Sequence, residues 1–323
     1  MSDLRIVFMG TGDIAIPSFL SLLPRPPLAL VTQPDKPVGR KQVMTAPRIK
    51  TVALEHGICV LQPEKAGDQA FLDELKALKP DVIVVMAYGQ ILKQALLDLP
   101  RVAIINVHAS LLPKYRGAAC IQAAIDAGDA TTGVTVMHVV KALDAGDVIL
   151  RREIEIGADE TGGVLHDRLA DLSPMALAEA LKQIADASAG REPQDESQVS
   201  YIPKLMRQDG EIDWNQSAAK IERRVRAYDP WPGTSTAYIE TKGRHRGRLR
   251  RLKVYPQVRL VEGAGAPGEV LECEGRLVVA CGEGALEIQE LQADGSRRMS
   301  AAEFLLGGAL QAGDVLQSGG SPK

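Results

Sequence analysis

"INVHASLLPKYRGAACIQ", residues 105–122, decides how the first half of this chain is read. The stretch begins as an apolar strand and runs into Asn106, His108, a turn at Pro113, two basic side chains and Gly117. Ala103, Ile104 and Ile105 continue through Val107 in strand fashion, and side chains two apart in a strand point to the same face. Asn106 and His108 are therefore expected to project together, a carboxamide beside an imidazole at the strand's carboxyl end.

Outward from this strand, short Val- and Ile-rich runs alternate with helical stretches. Arg5 to Met9, Leu28 to Thr32, Ile58 to Gln62, Val82 to Ala87 and Val102 to Val107 read as buried strands, and Ile49 to His56 and Asp68 to Leu78 as helices. That alternation predicts an α/β fold with a parallel, doubly wound, Rossmann-like sheet. Val134 to Val140 and Val148 to Ile156 read as a hairpin-like pair around KALDAGD, followed by a long helix from Gly162 to about Ala187. SAGREPQDESQ, residues 188–198, reads as the start of a linker. Beyond Trp214 one helix, Ser217 to Tyr228, precedes the turn DPWPG and several short strands, which predicts a small C-terminal β-barrel of OB-like kind. The expected boundaries are 1–188, a linker 189–207, a barrel 208–314 and a tail 315–323.

The first strand turn, FMGTGDIA, supplies G-x-G at Gly10 and Gly12, but Ala15 stands at the third glycine position and no acidic residue clearly ends the second strand. A tight turn for close helix packing is expected there, rather than a dinucleotide site.

Composition narrows the class. A chain of 323 residues favours two domains. With 45% hydrophobic and 24% charged residues and no apolar run of membrane-spanning length, a soluble globular protein with no membrane association is expected. The N-terminus enters a strand pattern at once, without a signal peptide's regions, and the four cysteines show no C-x-x-C spacing. A reducing cytoplasm is the expected compartment. His56, His138, His166 and His245 show no metal-ligand spacing, so no metal is expected. Charge is uneven: residues 204–323 carry 18 Lys or Arg against 16 Asp or Glu, although the whole chain holds 38 against 41. The surplus concentrates in KGRHRGRLRRLK, residues 242–253, which reads either as a solvated strand pair or as a phosphate-contacting patch.

Residues 106–119, NVHASLLPKYRGAA, resemble the signature of formyltransferases that use 10-formyltetrahydrofolate. Five further stretches extend the resemblance: TQPDKPVGR at 32–40, MAYGQIL at 86–92, LDAGD at 143–147, DW at 213–214 and YDPWPG at 228–233. Together they resemble the methionyl-tRNA formyltransferase family. Two departures stand out, Cys120 where that family usually has Pro and GTGDIA where its first turn usually reads G-T-P-x-F-A.

The resemblance implies catalysis by Asn106, His108 and Asp144, and a folate pocket lined by Ser110, Leu111, Leu112 and Pro113. The residues suit that chemistry. Formyl transfer to an amine needs no protein nucleophile: the amine attacks, a tetrahedral oxyanion forms and the folate nitrogen leaves. An α-amine has a reference pKa of about 8, so something must deliver its free base. Asn106 can donate an N–H to the oxyanion, and His108 can donate to the formyl oxygen or shuttle a proton. Asp144 can orient that imidazole or accept the amine's proton.

The triad alone does not choose the acceptor, since formyltransferases of glycinamide ribonucleotide and of UDP-amino sugars share it. A transfer RNA is favoured by two basic segments. The loop at residues 31–48 is longer than an ordinary α/β connection and carries Arg40 and Lys41, and the resemblance implies that it holds the acceptor stem. The barrel adds Arg244, Arg246, Arg248 and Arg250, spaced to share one face of a regular strand. The implied reaction formylates initiator Met-tRNA for translation initiation, with formyl-folate as co-substrate and the chain acting as a monomer.

Overall fold

The computed structural model describes residues 4–39, 41–240 and 246–318. The chain forms two compact units. The first comprises Met1–Cys120, Thr131–Glu155 and His166–Ile202, the second Ile121–Ala130, Ile156–Leu165 and Pro203–Lys323.

A seven-stranded sheet organises the first unit, in the order Val148–Glu155, Thr131–His138, Ala103–His108, Val82–Met86, Ile6–Gly10, Ala29–Val31 and Val60–Leu61. Five of these strands pair in parallel, and the hairpin read from the sequence forms the antiparallel edge beside Ala103–His108. The doubly wound expectation is met. VIVVM at 82–86 is buried at every position, as a strand covered on both faces must be. Each such Val or Ile stabilises the fold by about 1.5–3 kcal/mol relative to exposure.

At the turn after the first strand, a Cβ on Gly10 would come within 2.8 Å of the Phe8 ring and 3.0 Å of Met86 O. The backbone N–H groups of Thr11 and Gly12 both donate to Ala87 O at 3.2 Å. The amides that a dinucleotide pyrophosphate would need are already paired, so the glycine here serves close packing.

The second unit contains two four-stranded antiparallel sheets. Their orders are Thr234–Ile239, Leu249–Val254, Glu290–Ala293, Met299–Ser300, and Val258–Val261, Ala285–Ile288, Leu277–Ala280, Val270–Glu272. Trp214 sits in the core of this unit, and its indole Nε1 donates to Thr236 Oγ1 at 3.0 Å, so the one polar atom of the ring is satisfied. Ser217 caps the helix Ala218–Ala227 by accepting from Lys220 N.

The division does not follow one cut along the chain. Residues 189–202, expected as linker, pair with the first unit: Tyr201–Ile202 lies parallel to Arg116–Gly117, and Glu192 exchanges backbone hydrogen bonds with Val148. Backbone groups there find partners that a free linker would leave to water. Among the described residues no helix is long and apolar enough to cross a membrane.

Candidate active site

The strand Ala103–His108 delivers Asn106 and His108 at its carboxyl end, and the turn 142–147 brings Asp144 to meet them. Asn106 Nδ2 lies 3.4 Å from Asp144 Oδ1, and His108 Nδ1 lies 3.8 Å from Asp144 Oδ2. Gly117 N donates to the same Oδ2 at 2.8 Å. The opposite ring nitrogen of His108, Nε2, sits 3.0 Å from the Tyr115 carbonyl and must carry a proton there, because a carbonyl only accepts. Asp144 holds φ +49°, the left-handed region that costs a non-glycine residue on the order of 1–3 kcal/mol. Gly146 follows because no side chain fits: a Cβ would stand 1.7 Å from His138 O.

His108 is 7% exposed, and burial by itself would drive its proton off. The adjoining Cys120 sulfur, through electrostatics and a hydrogen bond to the ring, works most strongly the other way. The Asp144 carboxylate and the Tyr115 carbonyl add to it, and the imidazolium is held up to about 9. Cys120 opens the helix Cys120–Ala127 and is itself buried.

Of the four residues read as folate-lining, Ser110 and Leu112 are buried, the Ser110 hydroxyl donating to Lys114 O at 2.7 Å and Leu112 N to Thr135 Oγ1 at 3.1 Å. Surface for a ligand is left at Leu111 and Pro113. Of the basic residues, Lys41 is exposed beside the short hairpin of Lys36–Val38 and Val43–Thr45, and Arg246 and Arg248 are exposed ahead of the strand Leu249–Val254. Arg40 and Arg244 lie outside the described residues. Arg250 faces Glu240 at 3.4 Å and donates to Asp294 O at 2.8 Å.

Residues 26–181 match the formyl transferase family and residues 204–308 match the formyl transferase C-terminal domain. The methionyl-tRNA formyltransferase of Akkermansia muciniphila is 51% identical over 94% of this chain and 96% of its own. The chain belongs to the methionyl-tRNA formyltransferase family. More distant solved structures share the fold. HypX from Aquifex aeolicus, in complex with tetrahydrofolic acid, is 20% identical with a TM-score of 0.61 over 94% of this chain, which spans about half of that protein, 47%. An N-formyltransferase from Helicobacter canadensis, in complex with folinic acid and dTDP-3-aminofucose, is 16% identical with a TM-score of 0.64 over 92% of this chain and 100% of its own.

Around these residues the structure also places a buried cation and a strap that the sequence reading gave no role. Arg116 is 1% exposed, with its guanidinium held by Gln194, Glu196 and the Tyr201 hydroxyl. The RGAA run gives a weak sign of Arg116 and Gly117, but nothing in SAGREPQDESQ marks Gln194.

Proposed function

We propose that this formyltransferase moves the formyl group of 10-formyltetrahydrofolate to the α-amine of methionine on initiator tRNA, serving translation initiation. One observation carries the chemistry: Asn106, His108 and Asp144 converge at the carboxyl end of a parallel strand, where doubly wound sheets hold their ligands, and the near-full-length similarity to a methionyl-tRNA formyltransferase supports the tRNA as acceptor. The folate supplies the activated formyl group, and Leu111 and Pro113 offer it apolar surface. Asn106 Nδ2 and His108 Nδ1 contact Asp144 only loosely, so both can turn to the formyl oxygen as charge develops there. His108, protonated up to about pH 9, then donates a charge-assisted hydrogen bond. Asp144, fixed by Gly117 N, is the acceptor for the proton that the attacking amine must lose.

In this reading residues 1–188 carry the chemistry. The segment 208–314 and the loop around Arg40 and Lys41 bind the tRNA through phosphates, with Arg244, Arg246 and Arg248 as the barrel's contacts and Arg250, held by Glu240 and Asp294 O, joining them only if that pairing opens. The chain works as a cytoplasmic monomer without a metal.

The test is an acceptor panel, in which purified protein and 10-formyltetrahydrofolate are offered initiator Met-tRNA, glycinamide ribonucleotide or a UDP-amino sugar. Formyl-methionyl-tRNA is the expected product. Formylation of a small amine but not of the tRNA would overturn the reading.

A further inference from the structure

The strap of residues 192–202 closes over the catalytic loop with one side chain that grips both sides of the site. Gln194 Nε2 lies 2.8 Å from the carbonyl of Asp144 and 2.8 Å from that of Gly146. Its Oε1 accepts from Arg116 Nε at 3.1 Å and Nη2 at 2.9 Å. The orientation of the amide is not arbitrary, because the nitrogen faces two acceptors and the oxygen faces a guanidinium that can only donate. Gln194 thereby joins the loop after His108 to the turn that presents Asp144.

We infer that Gln194 is a positioning residue for formyl transfer: by holding the carbonyls of Asp144 and Gly146 it fixes the strained turn, and with it the carboxylate that faces Asn106 and His108. The inference rests on the formyl-transfer reading above. Its physical basis is the left-handed conformation of Asp144, φ +49°, which persists only where the surroundings over-determine it. Gly117 N restrains the side chain of Asp144, and Gln194 restrains its backbone, so the carboxylate is held at both ends. On the far side, Arg116 is a buried cation, and such a charge is tolerated only when its donors are satisfied. Arg116 therefore anchors Gln194 as firmly as Gln194 anchors the turn. The strap's backbone reinforces this, with Arg116 N donating to Ser200 O at 2.8 Å and Ala118 N to Ile202 O at 3.0 Å.

Two substitutions separate positioning from mere support. Gln194→Ala removes every contact. Gln194→Glu keeps an acceptor for Arg116 and so keeps the strap anchored, but it sets carboxylate oxygens against two carbonyls and loses both donations to the turn. Both variants should lower kcat by about tenfold to a hundredfold, as a misplaced catalytic group does. KM for 10-formyltetrahydrofolate and for Met-tRNA should stay within about twofold, since Asp144 is used at the reacting centre. Asp195→Ala serves as the control. Its carboxylate caps Ser197 N at 2.9 Å in the same strap, and its removal leaves the Gln194 amide in place. That variant should keep wild-type kcat.

Near-normal kcat in Gln194→Glu, or a loss in Asp195→Ala as large as in Gln194→Ala, would overturn the inference. Wild-type enzyme is assayed alongside: its failure to formylate Met-tRNA would sink the functional reading itself, whereas normal wild-type turnover with active Gln194 variants would sink only the inference.

Discussion

The turn around Asp144 and the basic segment at 246–251 both gather polar side chains on a few residues, but they hold them in opposite ways. At the turn, Asn106, His108 and Arg116 are buried or half-buried and each meets a partner at a set distance. In the basic segment, the Arg246 and Arg248 side chains are exposed, whereas Arg250 meets Glu240 and Arg251 meets Ser235 Oγ. Buried groups act over one bond length in a low dielectric, where a small displacement is felt strongly. Exposed charges act through a field that physiological salt screens beyond roughly 8 Å. The first region should thus answer to geometry and the second to ionic strength.

The largest effect is expected at the turn. Asn106→Ala, His108→Ala and Asp144→Ala should each lower turnover by on the order of a hundredfold or more while folate binding persists. The losses should be non-additive, since the three act as a unit, and single-cycle kinetics at low and high salt should give the same ratios. A near-normal rate for any one of them would remove that residue from the chemistry, and a salt-dependent ratio would erase the contrast between the two regions.

How much of this the sequence discloses depends on how local the signal is. In 105–122 the strand period and the polar residues lie together, so the shared face of Asn106 and His108 is legible from the residues alone. Asp144 needs the family resemblance, because a lone Asp in LDAGD reads as an ordinary turn former. Residues 189–202 read as part of the 189–207 linker because their partners, Arg116 and the carbonyls of Asp144 and Gly146, are distant in sequence, and a polar composition looks the same whether its donors meet water or buried carbonyls. In the basic segment, the two-residue spacing of arginines suggests one shared face from 244 to 250, but the strand begins at Leu249, after a turn at Arg246 and Gly247.

A second prediction probes how tightly the turn and the strap are joined. Gly117 has φ +107°, and a Cβ there would stand 2.3 Å from Ile202 O. Gly117→Ala should push the strap away and disturb the N–H that fixes Asp144. The expected result is a stability loss on the order of 1–3 kcal/mol from the backbone conformation alone, together with a fall in kcat of about tenfold. Thermal melting and steady-state rates check both. Wild-type values in each would mean that the strap is dispensable to the site.

A third prediction is a pH effect centred on Cys120. The folded-state pKa of His108 is raised from 6.5 to about 9, so His108 contributes stability that is fully present below pH 6.5 and lost as pH rises through about 9. Cys120→Ser keeps the bulk and removes the thiol that opposes the burial penalty most strongly. The window of pH-dependent stability should therefore narrow from its alkaline side, and the alkaline limb of the rate profile should move to lower pH, with a severalfold loss of rate on that limb. Unchanged profiles would leave Asp144 and the Tyr115 carbonyl as sufficient support for the imidazolium.

The smallest effect on turnover is expected in the second unit. If Arg246 and Arg248 neutralise phosphates, their joint replacement by Ala should weaken Met-tRNA binding and flatten the plot of log affinity against log salt by roughly one to two units, taking about 0.7–0.9 per contact. Turnover at saturating tRNA should barely change, because these side chains are proposed to bind and not to react. Arg250→Ala should behave differently from its neighbours. Its guanidinium is already engaged by Glu240 and by Asp294 O, so its loss should lower the stability of the β-unit more than it changes the salt slope. Filter binding across a salt series and melting curves of the same proteins separate the two outcomes. A salt slope unchanged in the Arg246 and Arg248 variant would return that segment to a solvated face, and a slope that falls with Arg250→Ala would show that its ion pair opens to meet the RNA.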